Sequence, residues 1–542
     1  MTMKRLIIYL LLLFVVFSKK LAYAHDFKVN DIYYLIIKEN EVAVTYANYG
    51  ESKSYSGNVN IPPSVTYNGK TYSVTMIGGY AFRNCNEVTS VTIPNSVTKI
   101  NAEAFKGCSK LTSFTIPESI IEIGYDAFKS CYQLKTLNYN AVSCADYSTN
   151  GYGIPFDNLS ISTINIGNSV ERIPAYFAYG LDNLTSITIP NSVTTIGSHA
   201  FAYCTGLTDV IIPNSVVEIG LYAFIGCSSM EKVQINDLGT WCNISFYSSD
   251  SNPLSSAHHL YLNGMEITDL TIPNSVITIG NYAFYGYTGL TNLTIPSSVT
   301  TIGESAFRDC FGLTNVNLTN SVIKISSYSF AGCSGLTQFD IPNSITSIDD
   351  GVFKQCSLLT NVTIPSSVTS IGNSAFNGCT SLSRVTIPSS VTSIGNSAFN
   401  GCTSLSNVVI PNSVISVGSN AYYDCSGLIS ITFGASLSSI GAKAFMNDPS
   451  IESVTCFATT PPSCNDLSMF TANVYNHAQL HVPVDSERSY KSDPYWGQFL
   501  TIIGDVNEDN PSDEDYMKCD TNGDGEVNIA DVNRVIDAIL SH

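Results

Sequence analysis

VTIPSSVTSIGNSAFNGCTSLS occupies residues 362–383, and the same 22 letters return at residues 385–406, 23 positions later. Apolar residues hold fixed places in it: Val362, Ile364, Val368, Ile371, Ala375, Phe376 and Cys379, with Leu359 just before. Val362-Thr363-Ile364 alternates with period two, which reads as a short strand with Val362 and Ile364 turned inward. Pro365 ends it, because proline has no N–H to give an interior ladder. Val368 and Ile371 form a second inward edge, Gly372 permits a sharp turn, and Ala375-Phe376 closes the coil through a turn or single helical turn. One such coil cannot bury enough of itself to stand alone. Stacked on its copies it shares a core and inter-coil hydrogen bonds. Verbatim repetition is harmless there, because every coil meets the same neighbour.

The frame extends well beyond the quoted copies. Anchored on the Ile of Ile-Pro it passes through Ile93, Ile116, Ile189, Ile212, Ile272, Ile295, Ile341, Ile364, Ile387 and Ile410. Tyr139, Ile166, Ile235, Leu318, Phe433 and Cys456 are degenerate anchors in the same frame. With Ile61 at the start there are about 17 coils, a mainly β solenoid with a 23-residue period. Eleven of the 16 cysteines share one repeat position, from Cys85 to Cys425, with Tyr287 and Asp448 substituting at two others. Stacked side chains ~4.8 Å apart point in parallel, whereas a disulfide needs Cβ atoms ~3.8 Å apart and turned toward each other. The column therefore reads as free, buried thiols. The alternative is a disulfide framework, usual for secreted cysteine-rich chains. Two stretches break the period, 140–165 and 236–270. In the second, Asn263-Gly264 is a hairpin turn, and the adjacent His258 and His259 face opposite ways on a strand, which argues against a joint metal site.

The pattern Leu-x-x-Val-x-Ile-Pro-x-x-Val-x-x-Ile-Gly-x-x-Ala-Phe-x-x-Cys, met many times over residues 58–457, is similar to the BspA-like leucine-rich repeats of bacterial surface and secreted proteins. That resemblance implies a curved right-handed solenoid, and adhesion to host proteins or other cells as the function of such chains.

Charged residues make up 13% of the chain against 44% hydrophobic, and Ser, Thr and Asn take the place of the missing charge. The net charge of −19 argues against nucleic acid as a partner, which needs a basic face. Lys4 and Arg5 precede an apolar run from Leu6 to Phe17, and Ala22-Tyr23-Ala24 fits a cleavage site. Residues 1–24 are therefore expected to be a signal peptide, giving a secreted or surface-displayed protein without a transmembrane segment in the mature chain. Bare coil edges invite aggregation. Alternating runs in 25–57 are expected to form an N-terminal β cap, and 458–503, with Tyr490, Trp496 and Phe499, a C-terminal plug or, alternatively, a carbohydrate-stacking site.

Acid concentrates in the tail, 504–542: between Gly504 and Asp531 there are ten Asp or Glu and one Lys. Counting Asp520 as position 1 puts Asn522 at 3, Asp524 at 5, Gly525 at 6, Glu526 at 7, Asn528 at 9 and Asp531 at 12. A calcium loop takes oxygen ligands at these places and a glycine at the bend. An apolar helical stripe, Val532, Val535, Ile536, Ile539 and Leu540, follows. Ca2+ is the expected cofactor. The segment resembles one repeat of a type I dockerin, which implies a cohesin-like partner. A second loop at Asp505, Asn507 and Asp509 departs from that pattern, with Asn510 for Gly and Tyr516 for the last carboxylate, and adds only weaker ligation.

No catalytic constellation stands out. The seven histidines include no His-Glu-x-x-His, and Gly69-Lys70-Thr71 lacks the first glycine of a phosphate loop, where Ser64 stands. The favoured reading is a non-enzymatic binding or adhesion protein for an extracellular protein or glycan. Its ligand-facing sheet presents Asn361, Thr363, Arg384, Thr386, Asn407 and Ser430 to solvent by alternation with inward residues. The alternative is a non-catalytic, dockerin-bearing component of a polysaccharide-degrading assembly.

Overall fold

A regular 23-residue coil makes hydrogen bonds to the next along three of its sides. A computed structural model describes residues 24–48, 54–147, 154–156, 160–464 and 467–506. The chain is a mainly β solenoid of about 18 turns, and it divides into two compact units, one ending at Ile267 and the other starting at Thr268.

In the second unit, Asn361–Thr363 pairs in parallel with Arg384–Thr386. Seven residues further on, Ser370–Ile371 pairs with Ser393–Ile394, part of a six-stranded ladder running from Ser347–Ile348 to Ser463–Cys464. The third side is the turn around Ala375-Phe376, which forms no helix. There the N–H groups of Ser374, Phe376 and Gly378 donate to the carbonyls of Asn396, Ala398 and Asn400 at 2.8, 2.7 and 2.7 Å. Every inward residue expected in this coil is buried, from Leu359 through Cys379. The phenylalanines stack into a continuous file, Phe353 on Phe376 at 5.4 Å, Phe376 on Phe399 at 5.2 Å and Phe399 on Tyr422 at 5.0 Å.

Serine and threonine, which stand in for charge in the composition, tie the coils together. Ser367, Ser390 and Ser413 each donate Oγ–H to a carbonyl 22 residues back, at 2.6 Å. Thr369 and Thr392 do the same 23 residues back, at 3.1 and 3.2 Å. Carbonyl lone pairs left over by the ladders thus find donors without any ion pair.

Gly372 has a different task from the one its position suggests. Its φ is not in the left-handed region; a Cβ there would lie 2.7 Å from the Asp349 carbonyl carbon and 2.8 Å from the Asp350 nitrogen. Glycine is needed because the neighbouring coil's backbone comes so close. The left-handed residues of the turn are Ser374 at φ 54° and Gly378 at φ 77°.

The first unit starts with antiparallel strands, Phe27–Val29, Ile32–Lys38 and Glu41–Thr45. This cap sheet reaches beyond residue 57: the hairpin Ser64–Tyr67 with Lys70–Ile77 joins it, Lys70–Ile77 pairing with Glu41–Thr45 on one side and Lys99–Ile100 on the other. Asn68-Gly69, with φ 50° and 78°, is the turn of that hairpin. The period break near the end of the unit holds the helix Leu238–Cys242, capped by Asp237 Oδ2 accepting from Thr240 N at 2.7 Å, and the expected hairpin, with Leu262 opposite Met265. The second unit is closed by Gln479–Pro483 and Thr501–Val506, which extend the main ladder past Ser453–Cys456. Below them Tyr490 and Trp496 are fully buried; Tyr490 Oη donates to Ala458 O at 2.8 Å and Trp496 Nε1 to Pro462 O at 2.9 Å. Trp496 is therefore a plug, with no ring face left to stack on a sugar. Among the described residues no helix is long and apolar enough to cross a membrane.

Candidate ligand-binding face

Alternation along each main strand buries its central residue and turns the flanking residues outward. In the second unit the outward residues form two files. One runs Asp269, Asn292, Asn315, Gln338, Asn361, Arg384; the other Thr271, Thr294, Asn317, Asp340, Thr363, Thr386. All six ligand-facing candidates sit on this face. Asn361 is in register with Arg384, Thr363 with Thr386 and Asn407 with Ser430. Asn361, Thr363, Thr386 and Asn407 are exposed, while Arg384 and Ser430 are half-buried.

The face is ordered by its own side chains. Asn292 Nδ2 donates to Asp269 Oδ1, Asn315 Nδ2 to Asn292 Oδ1 at 2.8 Å, and Ser430 Oγ to Asn407 Oδ1 at 2.6 Å. An amide both donates and accepts, so it can repeat along a file as a carboxylate cannot.

The main ladder of this unit is interrupted between Arg384–Thr386 and Asn407–Ile410, and also at a seam nearer its start; the sequence reading missed both. Asp269–Thr271, Asn292–Thr294 and Asn315–Asn317 form one sheet; Gln338–Asp340, Asn361–Thr363 and Arg384–Thr386 form the next; the strands at 315 and 338 are not paired. Val316, an inward residue, is only half-buried, whereas its counterparts Leu293 and Phe339 are buried. Phenylalanine is the central residue of a described main strand at 114 and 339, and both strands follow an interruption of the ladder. Phe339 lies edge-on to Phe330 at 5.0 Å and Phe353 at 4.7 Å; Phe114 lies likewise on Phe105 at 4.9 Å and Phe128 at 4.7 Å. The place is marked in the sequence by Leu318-Thr319, which replaces Ile-Pro.

At this seam the face is hollowed into a depression of about 210 Å³. Its rim carries Asn292, Thr294, Asn315, Asn317, Gln338 and Asp340, and Leu293 and Val316 contribute its apolar part.

The fifteen described cysteines are free and buried. Their thiols are more than apolar filler: Cys379 Sγ donates to Phe353 O at 3.1 Å and Cys402 Sγ to Phe376 O at 3.3 Å, a contact 26 residues back that recurs from Cys108 to Cys425. Burial pushes Cys131, Cys227 and Cys356 up to about 12, which keeps them as thiols. His259 Nδ1 meets Glu266 Oε1 at 2.6 Å on the hairpin. Asp505 lies in the last strand, with its carboxylate 2.9 Å from His481 Nδ1. Asn507, Asp509 and the expected calcium loop, Asp520, Asn522, Asp524, Glu526, Asn528 and Asp531, lie outside the described residues, as does most of the expected signal peptide.

The description "BspA type leucine rich repeat region (6 copies)" fits residues 75–152, 152–258, 255–360 and 348–461. The chain belongs to the BspA-type leucine-rich repeat family. This BspA-type chain is similar to a solved leucine-rich repeat protein from Bacteroides ovatus, at 28% identity over 80% of this chain and 94% of that one, with a TM-score of 0.44. It is also similar to a leucine-rich cell surface protein from Faecalibacterium prausnitzii, at 26% identity over 66% of this chain and 93% of that one, TM-score 0.36. A leucine-rich repeat protein from Eubacterium ventriosum matches at 19% identity over 74% and 93%, TM-score 0.40. No curated protein matches this BspA-type chain.

Proposed function

We propose that this BspA-type chain is a secreted or cell-surface bacterial binding protein, adhesive as its family resemblance implies, with the outward strand face as its interaction surface for an extracellular protein or glycan. The observation that carries the reading is the face itself: two mostly uncharged files of amides and hydroxyls, one of them tied by side-chain hydrogen bonds between coils. Side chains ordered before a ligand arrives lose little entropy when it binds. The acidic tail, through calcium at Asp520, Asn522, Asp524 and Asp531, serves as an attachment module. That loop also favours a second reading, a non-catalytic component of a polysaccharide-degrading assembly held by a cohesin, which a cohesin pull-down tests. The main test is an array of extracellular proteins and glycans probed with the mature chain and with the variant Asn361→Ala, Arg384→Ala, Asn407→Ala. Binding that the variant loses, with its melting temperature unchanged, is the expected result. No binding to any spot would falsify the reading, and binding that survives the variant moves the interaction off these residues.

A further inference from the structure

The seam depression has features that select a ligand class. Asp269, Asn292 and Asn315 are linked in a hydrogen-bonded file, and that file stops at the seam. Asn317, Gln338 and Asp340 make no side-chain hydrogen bond among the described residues, so three polar groups on the rim, joined by the free Oδ1 of Asn315, are left for something else. No Lys, Arg or His stands among the lining residues, and the single charge is the Asp340 carboxylate. An anionic ligand would find no counter-charge and one repulsion. The half-buried Val316, beside the buried Leu293, gives a small apolar patch, with no aromatic wall for a flat or greasy ligand. At about 210 Å³ the space is too small for a drug-sized molecule, which takes roughly 300–1,000 Å³, and matches a single ring.

We infer that the depression between Asn315–Asn317 and Gln338–Asp340 binds one neutral hexopyranose unit of a glycan. Amides and a carboxylate offer paired donors and acceptors to vicinal hydroxyls, and the apolar patch takes the C–H face of the ring. The inference rests on the binding reading above and narrows its ligand class. The seam is part of the site: the depression opens where the strands at 315 and 338 are unpaired.

The test is saturation-transfer NMR on the mature chain with methyl glycosides of glucose, galactose and mannose, beside methyl glucuronide and a short uncharged peptide. At least one neutral glycoside should show transfer, and the uronide and the peptide none. Asn317→Ala and Gln338→Ala should each weaken binding about tenfold, the worth of a hydrogen bond to a well-placed partner. Asp340→Ala should weaken it as well; a thermal melt confirms that each variant is folded. Transfer to the uronide or the peptide in preference to neutral sugars overturns the proposal. So does neutral-sugar binding that all three variants retain. If no sugar binds while the array still gives a partner lost in the Asn361, Arg384, Asn407 variant, the sugar site fails and the binding-face reading stands.

Discussion

Asp448 shows what a single residue decides in a repeated environment. It stands where other coils carry a cysteine, fully buried, and neither carboxylate oxygen has a hydrogen-bond partner among the described residues. Burial, opposed in part by the Cys425 backbone and reinforced by Asp424, pushes its carboxyl up to about 8. Protonated, it offers an O–H where its neighbours offer an S–H. In the unfolded chain the same group titrates near ~3.9. Between about pH 4 and 8 the folded state must hold a proton that the unfolded state has released, so stability falls as pH rises through that window and is level above it. Asp448→Asn removes this titration. Urea melts should show the variant gaining on the parent from pH 4 to pH 8, by on the order of a few kcal/mol at most, each pKa unit being worth about 1.4. Parallel pH profiles for the two proteins would show that Asp448 does not titrate in the fold.

At the scale of the element, the coil is the unit of cooperation. Its strands are only two or three residues long around Ile371 and Val362, too short to persist alone, and their pairing lies almost entirely with the coils before and after. Removing residues 362–384 joins Asn361 to Val385 and gives the chain back an identical neighbour. Such a deletion should lose one coil interface and leave a folded protein with a slightly lower melting temperature. Deleting 362–372 instead removes both short strands and the close-approach glycine while keeping the Phe376 turn, and it should unfold the surrounding coils. Far-UV circular dichroism melts distinguish the two; equal damage from both would mean that the coil frame is drawn in the wrong place.

For the whole molecule, the contrast is between coils whose described acidic residues form no metal-holding group and an acidic tail. Among the described residues no group of three His, Cys, Asp or Glu is placed to hold a metal ion. Calcium is therefore expected to act through Asp520, Asn522, Asp524 and Asp531 alone, and to leave the melting of the coils unchanged. Isothermal titration of the mature chain should give about one site, as one intact loop provides. Asp520→Ala with Asp531→Ala should abolish it. Two equal sites would restore Asp505 as a full ligand and require it to leave His481. No heat at millimolar Ca2+, where even weak extracellular modules bind, removes the calcium reading.

By itself the sequence determined the period, the strands and the inward set, because a repeat of 23 leaves each inward residue, such as Val362, Ile371 or Phe376, one environment to satisfy. It also determined the outward file from Asn361 to Ser430, because alternation follows from strand geometry. What lies between coils was decided only in three dimensions. Gly372 is glycine for the sake of a backbone 22 to 23 residues away, and the thiols from Cys108 to Cys425 have their acceptors 26 residues back. Neither distance is visible within one coil. The seam is of the same kind: the strands at 315 and 338 both keep the alternating pattern, and only the packed coils leave them unpaired. Pattern records polarity and spacing, whereas fit between stacked coils depends on volume and contact, which only the packed structure resolves.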